Sequence, residues 1–278
     1  MLSAHKPQIS TSRQISLDAH MRGILPKSFG LIFMLTLASS LAYPADTPAP
    51  TSAPSSDRAI VVGFVGGFVH RDDLRHSEVQ LAEKLRGDYG DRAHIAIFQN
   101  HHLRDAHAAI LKWLDGDRDG SLSDSERRDA RIIIYGHSWG ASAALALARD
   151  LQKDHIPVLL TIQVDSISKP GQDDHLIPAN VARAVNFYQT GGALHGERTI
   201  IAADPAHTEI LGDFRFNYAR QPAACSSYPW FARHFMKGHT SIECDPKVWS
   251  RVEALISQYL FPGESEVPTA ISKNFQNN

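Results

Sequence analysis

The segment "RIIIYGHSWGASAALALARDL", residues 131–151, is the most informative about the fold class. It opens with an apolar run of strand length and continues into an alanine-rich segment with strong helix propensity. Between the two stands "GHSWG", residues 136–140, which has the form G-x-S-x-G. Because glycine and serine are common, this form alone is weak evidence. A strand directly before it and a helix directly after it predict a strained turn that lifts the hydroxyl of Ser138 above the end of the strand.

The same alternation of strand-like and helix-like segments runs along most of the chain. Further strands are predicted at residues 59–65, 94–99, 157–166 and 182–190, and further helices at residues 77–90, 104–115 and 245–260. Asp245 is the expected cap of the last helix. Strands that are apolar on both faces and separated by helices favour a mostly parallel sheet covered on both sides. The sequence therefore predicts a single α/β domain over residues 58–262.

The overall charge gives no sign of two classes of partner. Of the 278 residues, 43% are apolar and 21% are charged, and the formal net charge is −2. These values are ordinary for a globular protein with one sizeable core. They indicate neither a basic footprint for nucleic acid nor a polybasic surface for a membrane.

Residues 1–42 have the features of an export signal. A basic region with Arg22 and Lys27 precedes a short apolar segment at residues 31–37, and small residues follow it. The apolar segment is much shorter than the roughly 20 residues of a membrane-spanning helix, although an uncleaved anchor is an alternative. Met21 is an alternative start. The signal predicts an exported protein, either periplasmic or secreted.

Export bears on the interpretation of the two cysteines. Cys225 and Cys244 form an even pair in a chain expected to meet an oxidising compartment, which favours one disulfide over two free buried thiols. Polar segments flank the predicted domain on both sides. Residues 43–57, rich in Pro, Ala, Ser and Thr, predict a disordered linker, and residues 263–278 predict a flexible tail.

In three features the chain resembles the α/β-hydrolase family. These are the turn at residues 136–140, the order of strands and helices, and a histidine late in the sequence. The resemblance covers most of residues 58–262. It implies the α/β-hydrolase fold, with Ser138 as the nucleophile of a Ser-His-Asp triad. Little chain separates Asp165 from the next strand, so no large cap domain is expected there.

The resemblance assigns the base and the acid by their places in the chain. His239 precedes the last predicted helix, in the loop where this family carries its catalytic histidine, and His195 and His207 are the alternatives. The acid is Asp165, which follows the first strand after the elbow helix, as in some lipases of this fold. Asp204 is the alternative acid, if the segment "RTIIAAD" is the relevant strand.

Acyl transfer also needs backbone N–H donors for the developing oxyanion. The resemblance implies one donor at Trp139, next after the nucleophile, and another in "GFVGGF", residues 63–68, with Phe64 and Val65 as candidates. The segment before the late histidine is rich in aromatic residues, which form either the wall of an acyl pocket or a satellite core: Phe214, Phe216, Tyr218, Tyr228, Trp230, Phe231 and Phe235.

A second motif, "DGDRDGSLSDSE" at residues 115–126, matches the calcium-binding loop of EF-hands. The predicted Ca²⁺ ligands are Asp115, Asp117, Asp119, Ser121, Ser123 and Glu126. Gly120 allows the sharp turn, and Leu122 fills the hydrophobic position. Only four residues separate Glu126 from the next predicted strand, so a full exiting helix and a second EF-hand are missing. A solvated turn without an ion is the alternative interpretation. A helix-to-strand connection enters the sheet at the edge opposite the nucleophile, so a structural role is expected.

Together these features predict an exported serine hydrolase that cleaves a carboxylic ester or thioester through an acyl-enzyme and carries a structural Ca²⁺. The expected partner is a small-molecule or lipid ester. No organic cofactor, no nucleic acid and no stable membrane span after signal cleavage are expected. The alternative is a noncatalytic calcium-dependent binding protein on a hydrolase-like scaffold. Nothing in the sequence distinguishes a lipase from a carboxylesterase, a thioesterase or an amidase.

Overall fold

The structure, a computed structural model, describes residues 59–192, 194–219, 223 and 225–262. The predicted signal peptide, linker and tail, residues 1–42, 43–57 and 263–278, lie outside the described residues.

Six strands form one sheet in which every pair of neighbours is parallel. They are β1 (Ala59–Val65), β2 (Ala93–Gln99), β3 (Ile132–His137), β4 (Leu160–Val164), β6 (Arg183–Gln189) and β8 (Glu209–Phe216). Their order across the sheet is β2, β1, β3, β4, β6, β8. Two short strands, β5 (Leu176–Ile177) and β7 (Ile201–Ala202), form a separate parallel pair.

Helices cover both faces of the sheet because alternate strand residues point to opposite sides. On one face, Val61 and Ile133 pack with residues of α1 (Ser77–Tyr89) and α7 (Pro246–Leu260). On the other face, Ile60 and Ile132 pack with residues of α2 (Leu103–Leu114) and α4 (Trp139–Lys153). Each fully buried aliphatic side chain contributes roughly 1.5–3 kcal/mol. This double burial explains why the strands lack polar alternation.

The predicted α/β architecture, a mostly parallel sheet flanked by helices, is confirmed. Within the described ranges no segment forms a large cap domain. The expected cap of α7 is also present, since the Asp245 side chain accepts a hydrogen bond from the backbone N–H of Lys247 at 2.9 Å. Parallel strands end at one edge, so the residues after β1, β3 and β4 meet there.

One segment differs from the sequence predictions. His239 was expected in a loop, but it lies on a helix, α6 (Lys237–Cys244). Gly, Thr and Ser are weak helix formers, so packing rather than propensity maintains α6, in which Gly238–Glu243 are all buried.

The acidic motif at residues 115–126 ends in a short helix, α3 (Asp124–Arg128). A capping box between Ser123 and Glu126 starts this helix. With five residues, α3 is much shorter than the full exiting helix whose absence was predicted.

The predicted pair of cysteines is close enough in the structure to be bonded. Cys225 and Cys244 are joined in a disulfide, with their Cα atoms 5.7 Å apart. The bridge closes a loop that contains α5 (Trp230–Phe235) and α6, and it therefore braces the segment that carries His239.

In the part of the chain that the structure describes, every helix is too short or too polar to cross a bilayer.

Candidate active site

Ser138 stands at the turn between β3 and α4, in a backbone conformation that L-residues rarely adopt. Its φ is 57° and its ψ is −126°. Two glycines make this turn sterically possible. A Cβ atom at Gly136 would overlap the backbone of Gly140, and one at Gly140 would overlap the carbonyl oxygens of β1. The G-x-S-x-G pattern thus corresponds to a tight strand–turn–helix elbow, as predicted from its flanking segments.

The elbow serine, a histidine and an aspartate form a continuous hydrogen-bonded chain. His239 Nε2 lies 2.9 Å from Ser138 Oγ, and His239 Nδ1 lies 2.6 Å from Asp165 Oδ2. All three residues are buried, with exposed fractions of 8%, 6% and 0% for Ser138, His239 and Asp165. Such an arrangement can remove a proton from the hydroxyl and stabilise the imidazolium that forms.

Asp165 is fixed by further donors besides the histidine. Its Oδ1 accepts a hydrogen bond from the Gly196 N–H at 2.7 Å, and its Oδ2 accepts one from Gln189 Nε2 at 2.9 Å. Burial by itself would raise the pKa of Asp165, but hydrogen bonds from His239, Gln189 and Gly196 outweigh burial and lower the pKa below its ordinary value. The carboxylate is therefore ionised and held in one orientation.

The alternative histidines and acid lie elsewhere. His207 Nδ1 pairs with Asp204 Oδ2 at 2.6 Å, and this pair is on the exposed surface rather than beside the elbow. His195 Nδ1 lies 3.2 Å from the carbonyl oxygen of its neighbour Gly196. Of the candidates that the sequence left open, the structure brings His239 into hydrogen-bond contact with Ser138, and Asp165 into hydrogen-bond contact with His239.

The oxyanion prediction needs a correction for the loop after β1. Phe64 and Val65 lie within the strand and are fully buried, and neither lines the cavity in front of Ser138. The strand continues through Val65, so the residues that reach the cavity are Gly66, Gly67 and Phe68.

Gly66 is unavailable as an oxyanion donor because its N–H is already donated to Glu78 Oε1 at 3.1 Å. Gly67 packs against the indole ring of Trp139, where a Cβ would overlap the ring. Trp139 itself begins α4, as the prediction required. The amides of Gly67 and Phe68 are thus better placed than those of Phe64 and Val65.

A cavity of about 480 Å³ opens in front of Ser138 and His239. Most of its wall is apolar, and polar side chains such as those of Ser138 and His239 also line it, which is typical of small-molecule sites. The apolar lining residues include Phe68, Trp139, Ile167, Leu194, Phe231 and Met236.

Five of the seven aromatic residues before His239 take one of the two roles that the sequence left open, whereas Trp230 and Phe235 are exposed and belong to neither group. Phe214, Phe216 and Tyr218 pack against the core beside β6. Tyr228 and Phe231 line the cavity. Trp230, Phe231 and Phe235 remain at least half exposed, at 63%, 51% and 78%.

A cluster of ionisable side chains lies directly behind His239. The ring of His137 packs on that of His239 with centroids 4.5 Å apart, and His137 Nδ1 lies 3.7 Å from Glu243 Oε2. Glu243 Oε1 is in hydrogen-bond contact with His76 Nδ1. Glu78 is completely buried beside them. Burial lowers the pKa of His137 to about 4, and burial, followed by the charge of Glu243, raises the pKa of Glu78.

Sequence reasoning missed this cluster. His76 and Glu243 are separated by 167 residues, and neither belongs to a recognisable motif. Only the folded chain brings α1 and α6 together.

The acidic loop at 115–126 joins α2 to α3. Three of its six predicted ligands, Asp115, Asp117 and Glu126, present carboxylate oxygens within 4.8 Å of one another. Asp115 Oδ2 accepts a hydrogen bond from Gly120 N–H at 3.1 Å, and Gly120 has the left-handed φ of 86° that the turn needs. Asp115 and Asp117 are oxygen donors suited to a hard cation such as Ca²⁺.

All the predicted side-chain ligands, those of the clustered carboxylates included, form hydrogen bonds within the loop. Asp119 Oδ1 accepts from Ser121, and Ser123 caps α3. Glu126 Oε1 accepts from the Gly116 N–H, and Glu126 Oε2 from the Ser123 N–H, both at 2.8 Å. Hydrogen bonds from the Ser123 backbone, above all, lower the pKa of Glu126, so its carboxylate is ionised.

In comparisons with known proteins, no protein-family model matches the chain and no curated protein matches its sequence.

Proposed function

We propose that the protein is an exported serine hydrolase that cleaves carboxylic esters or thioesters through an acyl-enzyme. The observation that carries this proposal is the unbroken hydrogen-bonded chain Ser138–His239–Asp165, which begins on a strained elbow and faces an apolar cavity. A buried structural serine would need neither the elbow nor the histidine. The disulfide is compatible with export, which the N-terminal sequence suggests.

The proposed reaction has two halves. Ser138 Oγ attacks the carbonyl carbon while His239 Nε2 takes the hydroxyl proton, and Asp165 keeps Nδ1–H in place. The imidazolium then gives its proton to the leaving alkoxide or thiolate, and the bond between the carbonyl carbon and that group breaks. In the second half, His239 takes a proton from water, which attacks the acyl-enzyme, and returns a proton to Ser138 Oγ.

The developing oxyanion needs N–H donors near Ser138. Trp139 N–H, at the positive end of α4, is one proposed donor, and the N–H of Gly67 or Phe68 is the other. The apolar lining of the cavity favours a substrate with an apolar acyl or alcohol group. We therefore expect small apolar esters or lipid esters to be better substrates than highly charged ones.

Turnover of short p-nitrophenyl esters tests the proposal. Ser138→Ala and His239→Ala should each lower turnover by on the order of 10⁴-fold or more. The exposed pair His207–Asp204 supplies matched controls, because His207→Ala and Asp204→Asn remove the same residue types outside the cavity. The proposal fails if Ser138→Ala keeps full turnover, or if the folded wild type hydrolyses no ester or thioester of a broad panel.

We also propose that the acidic loop binds a structural Ca²⁺. Support comes from the match of "DGDRDGSLSDSE" to the EF-hand pattern and from the proximity of Asp115, Asp117 and Glu126. The loop lines one cleft with Lys153 and Asp154 at the end of α4, the end remote from Ser138. An ion there would stabilise the entry to β3 without taking part in the chemistry.

A further inference from the structure

We propose that His76, Glu78 and Glu243 bind a divalent transition-metal ion of the zinc class, buried behind the catalytic histidine. One ligand atom from each residue lies within 4.8 Å of the others. Glu78 and Glu243 are buried, with exposed fractions of 0% and 6%. The site is distinct from the acidic loop and does not depend on the proposed hydrolase activity.

Buried polar atoms at this position lack partners. Among the residues that the structure describes, none forms a hydrogen bond with Glu78 Oε2 or with either ring nitrogen of His137. Both residues are at least nine-tenths buried, with exposed fractions of 0% and 2%. Leaving such groups unsatisfied costs free energy, because the interactions with water that they lose on burial are not replaced. A cation coordinated by Glu78 Oε2 would remove part of that cost.

The surrounding contacts leave one atom on each of two ligands facing the cluster. His76 presents Nδ1 to the cluster, and its Nε2 lies 3.7 Å from Asp73 Oδ2, which is too far for a hydrogen bond. At that distance the carboxylate still favours a proton on Nε2 by its charge, and a proton there leaves Nδ1 for the ion. Glu78 uses Oε1 to accept the Gly66 N–H, which leaves Oε2 for the ion. His137 Nδ1, which faces Glu243 Oε2 at 3.7 Å, is the nearest candidate for a fourth ligand.

The donor set selects the type of metal. Calcium and magnesium prefer oxygen ligands throughout, whereas imidazole nitrogen combined with carboxylate oxygen suits Zn²⁺ and its neighbours. Two glutamates and a neutral histidine also balance the charge of a divalent ion. Binding would displace the proton that His76 and Glu243 share and the proton that burial favours on Glu78, and both protons would leave to solvent. The cavity gives an entry path, because His76, His137 and Glu243 all line it.

The ion would connect three elements around the active site. His76 and Glu78 lie at the start of α1, and Glu243 lies on α6, one helical turn after His239. Glu78 also holds Gly66, the first residue of the loop proposed to supply an oxyanion donor. The ion would therefore fix the loop and the histidine relative to each other, which is a positioning role.

Zinc titration of the full-length protein tests this proposal. The metal-stripped wild type, with Ca²⁺ present, should bind about one Zn²⁺ per chain with micromolar or tighter affinity by calorimetry. Glu243→Gln and Glu78→Gln keep the side-chain shape and should weaken binding by at least about 10- to 100-fold, the range found for outer contacts alone. Asp115→Asn, in the acidic loop, is the matched control and should leave zinc affinity unchanged.

A second measurement does not depend on variants that fold. Anomalous diffraction from zinc-loaded wild-type crystals should place the ion within coordination distance of His76, Glu78 and Glu243. Zinc bound elsewhere, zinc affinity no better than millimolar, or tight binding that both glutamine variants retain would each overturn the proposal. None of these measurements uses ester turnover, so their results are independent of the test of the hydrolase function.

Discussion

Ser138 holds a backbone conformation that stores free energy at the point of the proposed chemistry. With φ at 57° and ψ at −126°, a residue with a Cβ is strained by about 1–3 kcal/mol, whereas glycine adopts this region readily. We predict that Ser138→Gly unfolds at higher urea concentration than the wild type, with a gain of about 1 kcal/mol or more. The variant should be inactive.

Ser138→Ala is the control for this effect. Alanine removes the hydroxyl but keeps the Cβ, so it keeps the strain and should not share the gain in stability. Equal stability of the glycine and alanine variants would contradict the strain argument. The comparison distinguishes the effect of losing the Ser138 hydroxyl from the effect of relieving the backbone strain.

Asp165 links the site to stability in acid. Its pKa in the folded protein lies below the ordinary value of 3.8, so ionised Asp165 stabilises the fold. That contribution is complete above the ordinary pKa and is lost as the pH falls through the lowered one. Asp165→Asn should therefore show its largest stability deficit near neutral pH, and the deficit should shrink as the pH falls below about 4. Turnover should also fall by on the order of 10⁴-fold.

Asp213 provides a control of opposite sign. Burial raises its pKa, although Asn186 Nδ2 and the Ile200 N–H donate hydrogen bonds to it. The wild type should therefore lose stability relative to Asp213→Asn as the pH rises through the raised pKa. Urea unfolding of both variants across pH measures the two slopes, and slopes of the same sign would contradict the assignment.

At the scale of elements, the elbow depends on close approach between α4 and β1. A Cβ at Gly140 would overlap backbone oxygens of β1, and backbone cannot move aside as a flexible side chain can. We predict that Gly140→Ala destabilises the protein by at least about 2 kcal/mol. Gly87, in the last turn of α1, is the matched control, because a Cβ there meets nothing within 4 Å. Gly87→Ala should stabilise by about 0.5–1 kcal/mol. Similar unfolding midpoints for Gly140→Ala and Gly87→Ala would contradict the close approach of α4 to β1.

The sequence could predict those elements that are encoded by local patterns. The elbow, its strand and its helix all lie within residues 131–151, so hydrophobic periodicity and two glycines were sufficient to predict them. The contact of Asp165 with His239 could also be predicted, because β6 ends in Gln189 rather than a carboxylate, and that glutamine donates to Asp165. The helical state of His239 could not be predicted, since packing of α6 overrides its weak propensity. The exact end of β1, which leaves Gly67 and Phe68 rather than Phe64 and Val65 at the cavity, is likewise set by strand pairing.

Contacts across the whole fold lie beyond such patterns. The cluster of His76, Glu78 and Glu243 forms only when α1 and α6 pack together, and single residues in these helices carry no spacing signal. The seven aromatic residues before α6 could not be divided by sequence either, since core and cavity positions use the same residue types.

At the scale of the molecule, the acidic loop and the elbow lie at opposite ends of α4. That helix has 15 residues, which corresponds to about 22 Å. Removal of Ca²⁺ should therefore lower stability and spare the chemistry. We predict that EGTA lowers the Tm by about 5–10 °C if the loop is saturated at about 100 times its Kd. Initial rates at low temperature should change little.

Because EGTA also binds zinc, a variant must assign this effect to the loop. With zinc removed from both proteins beforehand, Asp117→Asn should lower the Tm in calcium to near the chelated value of the wild type, and EGTA should lower it little further. A purely structural Ca²⁺ would be contradicted if removing Ca²⁺ from the wild type caused an immediate and reversible loss of turnover at low temperature. That loss must not be caused by the removal of zinc.

The central claim is that Ser138 is an activated nucleophile. The most direct measurement is reaction of the folded, full-length protein with a fluorophosphonate probe, followed by peptide mass spectrometry. We predict covalent labelling of Ser138, no labelling of Ser142 one turn later on α4, and loss of labelling in His239→Ala. A folded protein that leaves Ser138 unlabelled, or that is labelled equally well without His239, would contradict the proposed hydrolase.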